Sequence, residues 1–428
     1  MEALAPSNPK DRFEVYRFFN GLSAATKDGL DKRYVRVPFV KTFLLEHVSC
    51  RGNIQPKPPA KIFQNIGAEI KMLDDHFMSL AFELENKETK RVERKTTGFL
   101  EQYDERFFAY YTSEDSASAR KRVEKWIHDP DLDFTWFSSE LLQQLWDRDI
   151  KNRGDNRFGK LVFKHWSIFD MPEDFAISEE ESEDKVEDEE NEEENTNEED
   201  IRKPEGRKAR FEMGDRIGKI KAALKELQNN YDPLHAMYAL RLPSLSAHGS
   251  HDLYQKGQIT NRTDSFEDHR NTVRYLYRIY KSILSFTEEC AWHKITQEQT
   301  MKVGFKGVPL IVKFIGEALS EPTFNRWVQM AFRKGNLFKL WGDPIRLGPT
   351  KVHVYGADRH LWQSINLEIT SKGLVAILPQ GTCGNTFHRL VTNIQHYVSP
   401  KIEAWVGSEP FKSVVSKWSP NMDNSDGY

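Results

Sequence analysis

The chain has 428 residues, 38% of them hydrophobic, with ten Trp and 27 Phe. That is enough apolar material for two or three domains, since a single core stops growing near ~250 residues. The net charge of −4 is a cancellation: Glu179 to Asp200 carries fifteen acidic residues against Lys185 alone, while Ile201 to Arg346 has 25 Lys/Arg against 15 Asp/Glu. Three scattered cysteines, Cys50, Cys290 and Cys383, argue against a disulfide framework and a Cys-rich zinc site, and no secretory leader or bilayer-spanning stretch is expected.

From Pro59 to Lys87, Ile62, Ile66, Ile70, Leu73, Phe77, Leu80 and Leu84 return at helical spacing, so a long amphipathic helix is predicted. Helices follow from Thr112 to His128, opened by capping Ser/Thr and carboxylates, and from Ser138 to Lys151. Arg157 to Phe169 reads as a strand. Like charges and lost apolar content make Met171 to Pro204 a disordered boundary. Helical periodicity resumes over Phe211 to Leu227 and Asp268 to His293, flanking a polar loop from Leu242 to Thr263. A basic, aromatic helix is predicted from Phe324 to Trp341, then strands over 351–355, 364–370 and 373–378, a helix from Asn385 to Tyr397 and a strand near Ile402 to Val406.

The fold class expected is α+β, mainly helical. It comprises a helical N-terminal domain (1–172), an acidic linker (173–204), a helical central segment (205–300) and an α+β C-terminal region (301–428).

The sharpest local motif is Arg241-Leu-Pro-Ser-Leu-Ser-Ala-His248-Gly249, between the two central helices. In residues 211–293 the chain resembles the HEPN superfamily, helical bundles that often act as metal-independent RNases through an Arg and a nearby His. Leu242, where members carry a polar residue, and Pro243 depart from that pattern. The resemblance implies catalytic roles for Arg241 and His248, with the guanidinium holding phosphate and the imidazole moving a proton. It also implies a defence or toxin role and a site shared across a homodimer. His251 lies near no acidic or Cys cluster in the sequence, so neither metal nor cofactor is expected.

Arg274, Arg278 and Lys281 share a helix face, and Arg326, Arg333, Lys334 and Lys339 stand among aromatic residues, a pattern that suits nucleic-acid contact. Gly384, Asn385 and Arg389 open a helix after a glycine turn and suit an anion. The rival reading is a non-catalytic adaptor. It would bind RNA or another polyanion through the cationic middle, with a protein partner on the N-terminal helices, in the cytoplasm and away from membranes. In that reading the acidic run competes for the basic face.

Overall fold

Strands outnumber the helices that periodicity suggests. The computed structural model describes residues 6, 9–31, 38–47, 58–85, 92–153, 156–169, 208–244, 246–297, 303–334 and 338–417. The acidic run and the linker expected at 173–204 lie outside the described residues.

In chain order come α1 (Arg12–Asp31), β1 (Lys41–His47), α2 (Pro59–Asn65), β2 (Glu69–Asp74), β3 (Phe77–Glu85), β4 (Val92–Gln102), β5 (Phe107–Thr112), α3 (Ser116–Ile127), β6 (Leu132–Phe134), α4 (Ser139–Arg153) and β7 (Phe158–Trp166). Next are β8 (Lys208–Arg216), α5 (Ile217–Asn230), β9 (Met237–Pro243), β10 (Ser250–Tyr254), β11 (Gln258–Asn261) and α6 (Phe266–Ala291). The remainder is β12 (Trp292–Gln297), β13 (Val303–Lys306), β14 (Leu310–Phe314), α7 (Glu321–Gln329), β15 (Leu340–Gly348), β16 (Lys351–Asp358), β17 (Gln363–Thr370), β18 (Gly373–Pro379), α8 (Asn385–Tyr397), β19 (Ile402–Val406), β20 (Glu409–Pro410) and α9 (Phe411–Lys417).

These strands form an eleven-stranded sheet, ordered β2-β3-β4-β5-β1-β11-β10-β9-β7-β8 with β6 on β1, and a nine-stranded sheet, ordered β15-β16-β17-β18-β14-β19-β20 with β12 and β13 attached. Pairing is antiparallel except where β12 meets β18. The mainly helical expectation is therefore corrected. The first sheet draws strands from both sides of the acidic segment, because β7 pairs with β8 and with β9.

The predicted helix from Pro59 to Lys87 is α2 followed by a β-hairpin. Gly67, at φ 92°, ends the helix, and Asp74 accepts the His76 N–H at the hairpin turn. Phe77, Met78, Ser79 and Leu80 are all buried, so β3 is covered on both faces. Such a run carries no alternation to distinguish it from a helix. Likewise, the first part of the helix expected over Phe211 to Leu227 is β8, and the loop expected over Leu242 to Thr263 holds β10 and β11. The basic, aromatic helix stops at Gln329, passes through a π-helical turn (Met330–Lys334), and gives way to β15.

One apolar core runs from α1 and the first sheet through α6 and α8 to the second sheet, including Phe99, Leu161, Ile279, Leu310, Val354 and Phe387. Helix α6 begins at Ser265, whose hydroxyl accepts the Asp268 N–H, with Glu267 and Asp268 facing the positive helix end. Every residue of α8 is buried, including Asn385, Thr386, His388, Arg389 and Asn393. A helix enclosed on all sides must supply partners for those polar groups, and α8 does so at the junction between the sheets.

Candidate functional site at the junction of the two sheets

The guanidinium of Arg389, fully buried, pairs with Asp133 of β6 and, at 2.5 Å, with Asp358 at the end of β16; its Nε donates to the Phe338 carbonyl. Lys339 adds a second cation, with Nζ 3.2 Å from Asp133 and 3.0 Å from the Ile127 carbonyl. Thr386 donates its hydroxyl to the other Asp358 oxygen. Burial works against a charged Asp133, but Lys339 and Arg389 outweigh it and hold that carboxyl below its ordinary range.

A second group adjoins the first. Arg106, just before β5, places Nε 2.5 Å from Glu46 Oε1 and pairs with Glu288 of α6 at 2.9 Å. Its Nη2 is 3.3 Å from the Cys383 sulfur, and that thiol lies 3.0 Å from Glu46 Oε1. Donor atoms of Glu46, His360 and Cys383 all fall within 4.8 Å of one another. His360 Nδ1 donates to the Pro130 carbonyl at 2.9 Å. Burial, opposed by Asp133, lowers the His360 pKa, so the ring stays neutral at neutral pH.

Above this layer opens a cavity of about 140 Å³ lined by Glu124, Ile127, His128, Pro130, Lys339, Arg359 and Trp362. Lys339, Leu361 and Trp362, at φ 49°, 64° and 48°, are the non-glycine residues with positive φ among those described, and all three belong to this rim or its supporting turn. Each such residue costs on the order of 1 kcal/mol or more, so packing must hold it. Here Leu361 N–H bonds Pro130 and Arg359 N–H bonds the Lys339 carbonyl. Trp362 is 56% exposed, with the Arg359 guanidinium 6.0 Å from its ring centre.

Residues 10–413 match the model of the MJECL33-like protein family. The chain belongs to the MJECL33-like family. Over 144 residues it is 26% identical to the uncharacterized protein MJECL33 of Methanocaldococcus jannaschii, a stretch covering 34% of this chain and 33% of that protein. The chain thus aligns with about a third of the length of the relative it matches. No solved structure matches.

The family match spans both sheets, and the relative from Methanocaldococcus jannaschii is described as uncharacterized. The helical setting assumed for the nuclease expectation is corrected by the two sheets, and the family match gives the nuclease and defence expectations no support. Arg241 lies on β9, with Nε 2.6 Å and Nη2 3.1 Å from the carboxylate of Asp252, which also binds Arg262. His248 is exposed in the β9–β10 connection. His251 stacks on His269 at 5.3 Å, with Nε2 3.6 Å from Asp268.

The other predicted residues scatter. On α6, Arg274 pairs with Glu101 and Lys281 with Asp104, while Arg278 is exposed. Arg326 is half-buried on α7, and Arg333 and Lys334 fall in the π-helical turn. Among the predicted cations whose side chains are described, Lys339 alone lines the cavity. At the start of α8 the expected anion is the protein's own: Gly384 N–H donates to Glu288 at 2.7 Å, Asn385 Nδ2 to the Phe134 carbonyl, and Arg389 to its two aspartates.

Sequence reading missed Glu46, Arg106, Asp133, Glu288 and His360. The usable signal was charge within apolar runs: Lys41-Thr-Phe-Leu-Leu-Glu46-His47 is buried at every position, and an acidic residue there requires a partner.

Proposed function

We propose that the protein is a non-catalytic nucleic-acid-binding protein that holds a single strand at the cavity beside Trp362. The observation that carries this reading is an exposed indole beside Arg359 and Lys339, on a rim of strained backbone. The cavity, about 140 Å³, is well below the ~300–1,000 Å³ of sites for drug-sized ligands. It suits one planar base, with the Arg359 guanidinium on its rim near where a phosphate would follow. Trp341 and Tyr355, both exposed, extend the aromatic surface along the outer face of β15 and β16. Trp341 pairs with Ala357, which makes Tyr355 its diagonal neighbour at roughly 7–8 Å. The positive surplus between Ile201 and Arg346 supports RNA or another polyanion as the partner, and a cytoplasmic setting accompanies that reading. No described helix is long and apolar enough to cross a membrane.

The test is fluorescence anisotropy with a labelled single-stranded RNA of about 12 nucleotides, the matching DNA and the duplex, in EDTA across a salt series. Salt-dependent binding of single strands without fragmentation is expected. Absence of binding at low salt, or preference for the duplex, overturns the proposal.

A further inference from the structure

Glu46, His360 and Cys383 come from β1, the β16–β17 turn and the residue before the α8 N-cap, and are 1%, 1% and 0% exposed. Their placement does not depend on the nucleic-acid reading. Two donor atoms in this group, Glu46 Oε2 and His360 Nε2, are buried and have no hydrogen-bond partner among the described residues. A buried acceptor left without a partner destabilises the fold, and here two such atoms belong to a group whose donor atoms converge within 4.8 Å.

The atoms around the group are arranged as supports for ligands. His360 gives its Nδ1 proton to the Pro130 carbonyl, which leaves the Nε2 lone pair directed away from that bond. Glu46 uses Oε1 for Arg106 and the Cys383 thiol, leaving Oε2 available. Arg106 Nη2 contacts the sulfur at 3.3 Å, and the Cys383 backbone N–H is held by Gln363 at 2.6 Å.

The charges point the same way. Counting Glu46, Glu288, Arg106 and Cys383 alone, the group carries −1 with Cys383 as a thiol and −2 as a thiolate. A divalent cation bound to the thiolate brings that sum to zero. Uncompensated charge is costly to bury, so such a balance favours the bound ion.

We infer that Glu46, His360 and Cys383 form a binding site for a divalent metal ion of the zinc class, which ties the first sheet to the second. Sulfur, imidazole nitrogen and carboxylate oxygen are the donor set such an ion takes, and three protein ligands leave a fourth position for water. Ligands of a tetrahedral zinc ion stand roughly 3.3–3.8 Å apart, and the donor atoms here already lie within 4.8 Å of one another, so small side-chain shifts reach that spacing. As the metal–sulfur bond forms, the Cys383 thiol releases its proton to solvent.

The full-length protein, stripped with EDTA and dialysed, is titrated with Co²⁺ and separately with Zn²⁺. One equivalent is expected to bind, with a sulfur-to-cobalt charge-transfer band, a proton released per ion and a higher melting temperature. Cys383→Ser removes the band, and His360→Gln weakens binding at least about tenfold, in protein whose circular dichroism matches wild type. If neither variant folds, X-ray absorption of the zinc-loaded wild type must show one sulfur at about 2.3 Å. Failure of folded wild type to take up either ion, a band that survives Cys383→Ser, or a zinc shell without sulfur overturns the inference.

Discussion

Replacing Arg389 with Met tests whether the buried charges hold the two sheets together. The guanidinium, with no exposed surface, faces Asp133 and Asp358 together. At an effective dielectric near 20, a charge pair about 4 Å apart is worth about 4 kcal/mol, so the two carboxylates gain about 8 kcal/mol. Desolvating the guanidinium offsets several of these, and Met keeps most of the volume. The expected net loss is about 3–5 kcal/mol, the range found when one partner of a buried pair is removed. With an unfolding entropy near 2.1 cal/mol/K per residue over roughly 400 residues, melting falls by about 4–6 °C.

Differential scanning calorimetry reads this shift, and Asp358→Asn added to Arg389→Met should recover at least half of it by removing one stranded charge. The folded-state pKa of Asp133 is depressed, so its stabilisation is present above the unfolded carboxylate value near ~3.9 and is lost as pH falls through the folded value. The gap between wild type and variant should therefore narrow below about pH 4. A variant melting within about 1 °C of wild type at pH 7, or a double variant no better than the single, refutes the reasoning.

Trp362→Ala should weaken single-strand binding by about 1–3 kcal/mol, roughly 5- to 150-fold by anisotropy, with unchanged melting; Arg359→Ala should weaken binding and flatten its salt dependence. Burial lowers the pKa of His47 to about 4 and of His388 to about 3. The unfolded chain therefore takes up protons that the folded one refuses as pH drops below ~6.5. Stability should fall between about pH 6.5 and 4, and His47→Gln should reduce that slope in urea titrations at pH 7.5, 6 and 5. Gly249 sits at φ 107°, with space for a Cβ only 2.1 Å from the Arg262 carbonyl oxygen. Gly249→Ala should lower the melting temperature, while Gly348→Ala, which meets nothing within 4 Å, should not.

Local chemistry was legible where one face of an element meets water. Helix α3 begins after Asp115, whose carboxylate accepts the Ser118 N–H, and the C-terminal strands stand where alternation placed them; α8, though enclosed, also spans its predicted residues, because the glycine turn before it marks its start. The first sheet was hidden because β1, β3 and β5 are buried on both faces and read as continuous apolar runs. The junction was illegible for a different reason. Linear spacing compares neighbours, whereas residues 46, 106, 133, 288, 360 and 383 meet only once β1, β6, α6, β16 and α8 have packed. Cys383 shows the distance involved: it contacts Glu46 and Arg106, hundreds of residues upstream.

Strands β7 and β8 pair along their full length, ending with Trp166 opposite Lys208. The chain ends that flank residues 170–207 are therefore held together by this pairing, and cleavage between them should yield two pieces still zipped together, co-migrating on a native gel and separating only in denaturant. Cutting that excursion to about four residues changes the closure entropy by only about 2 kcal/mol. The position is thus a port at which a joining segment of another length could be spliced while the pairing of β7 with β8 stays as it is.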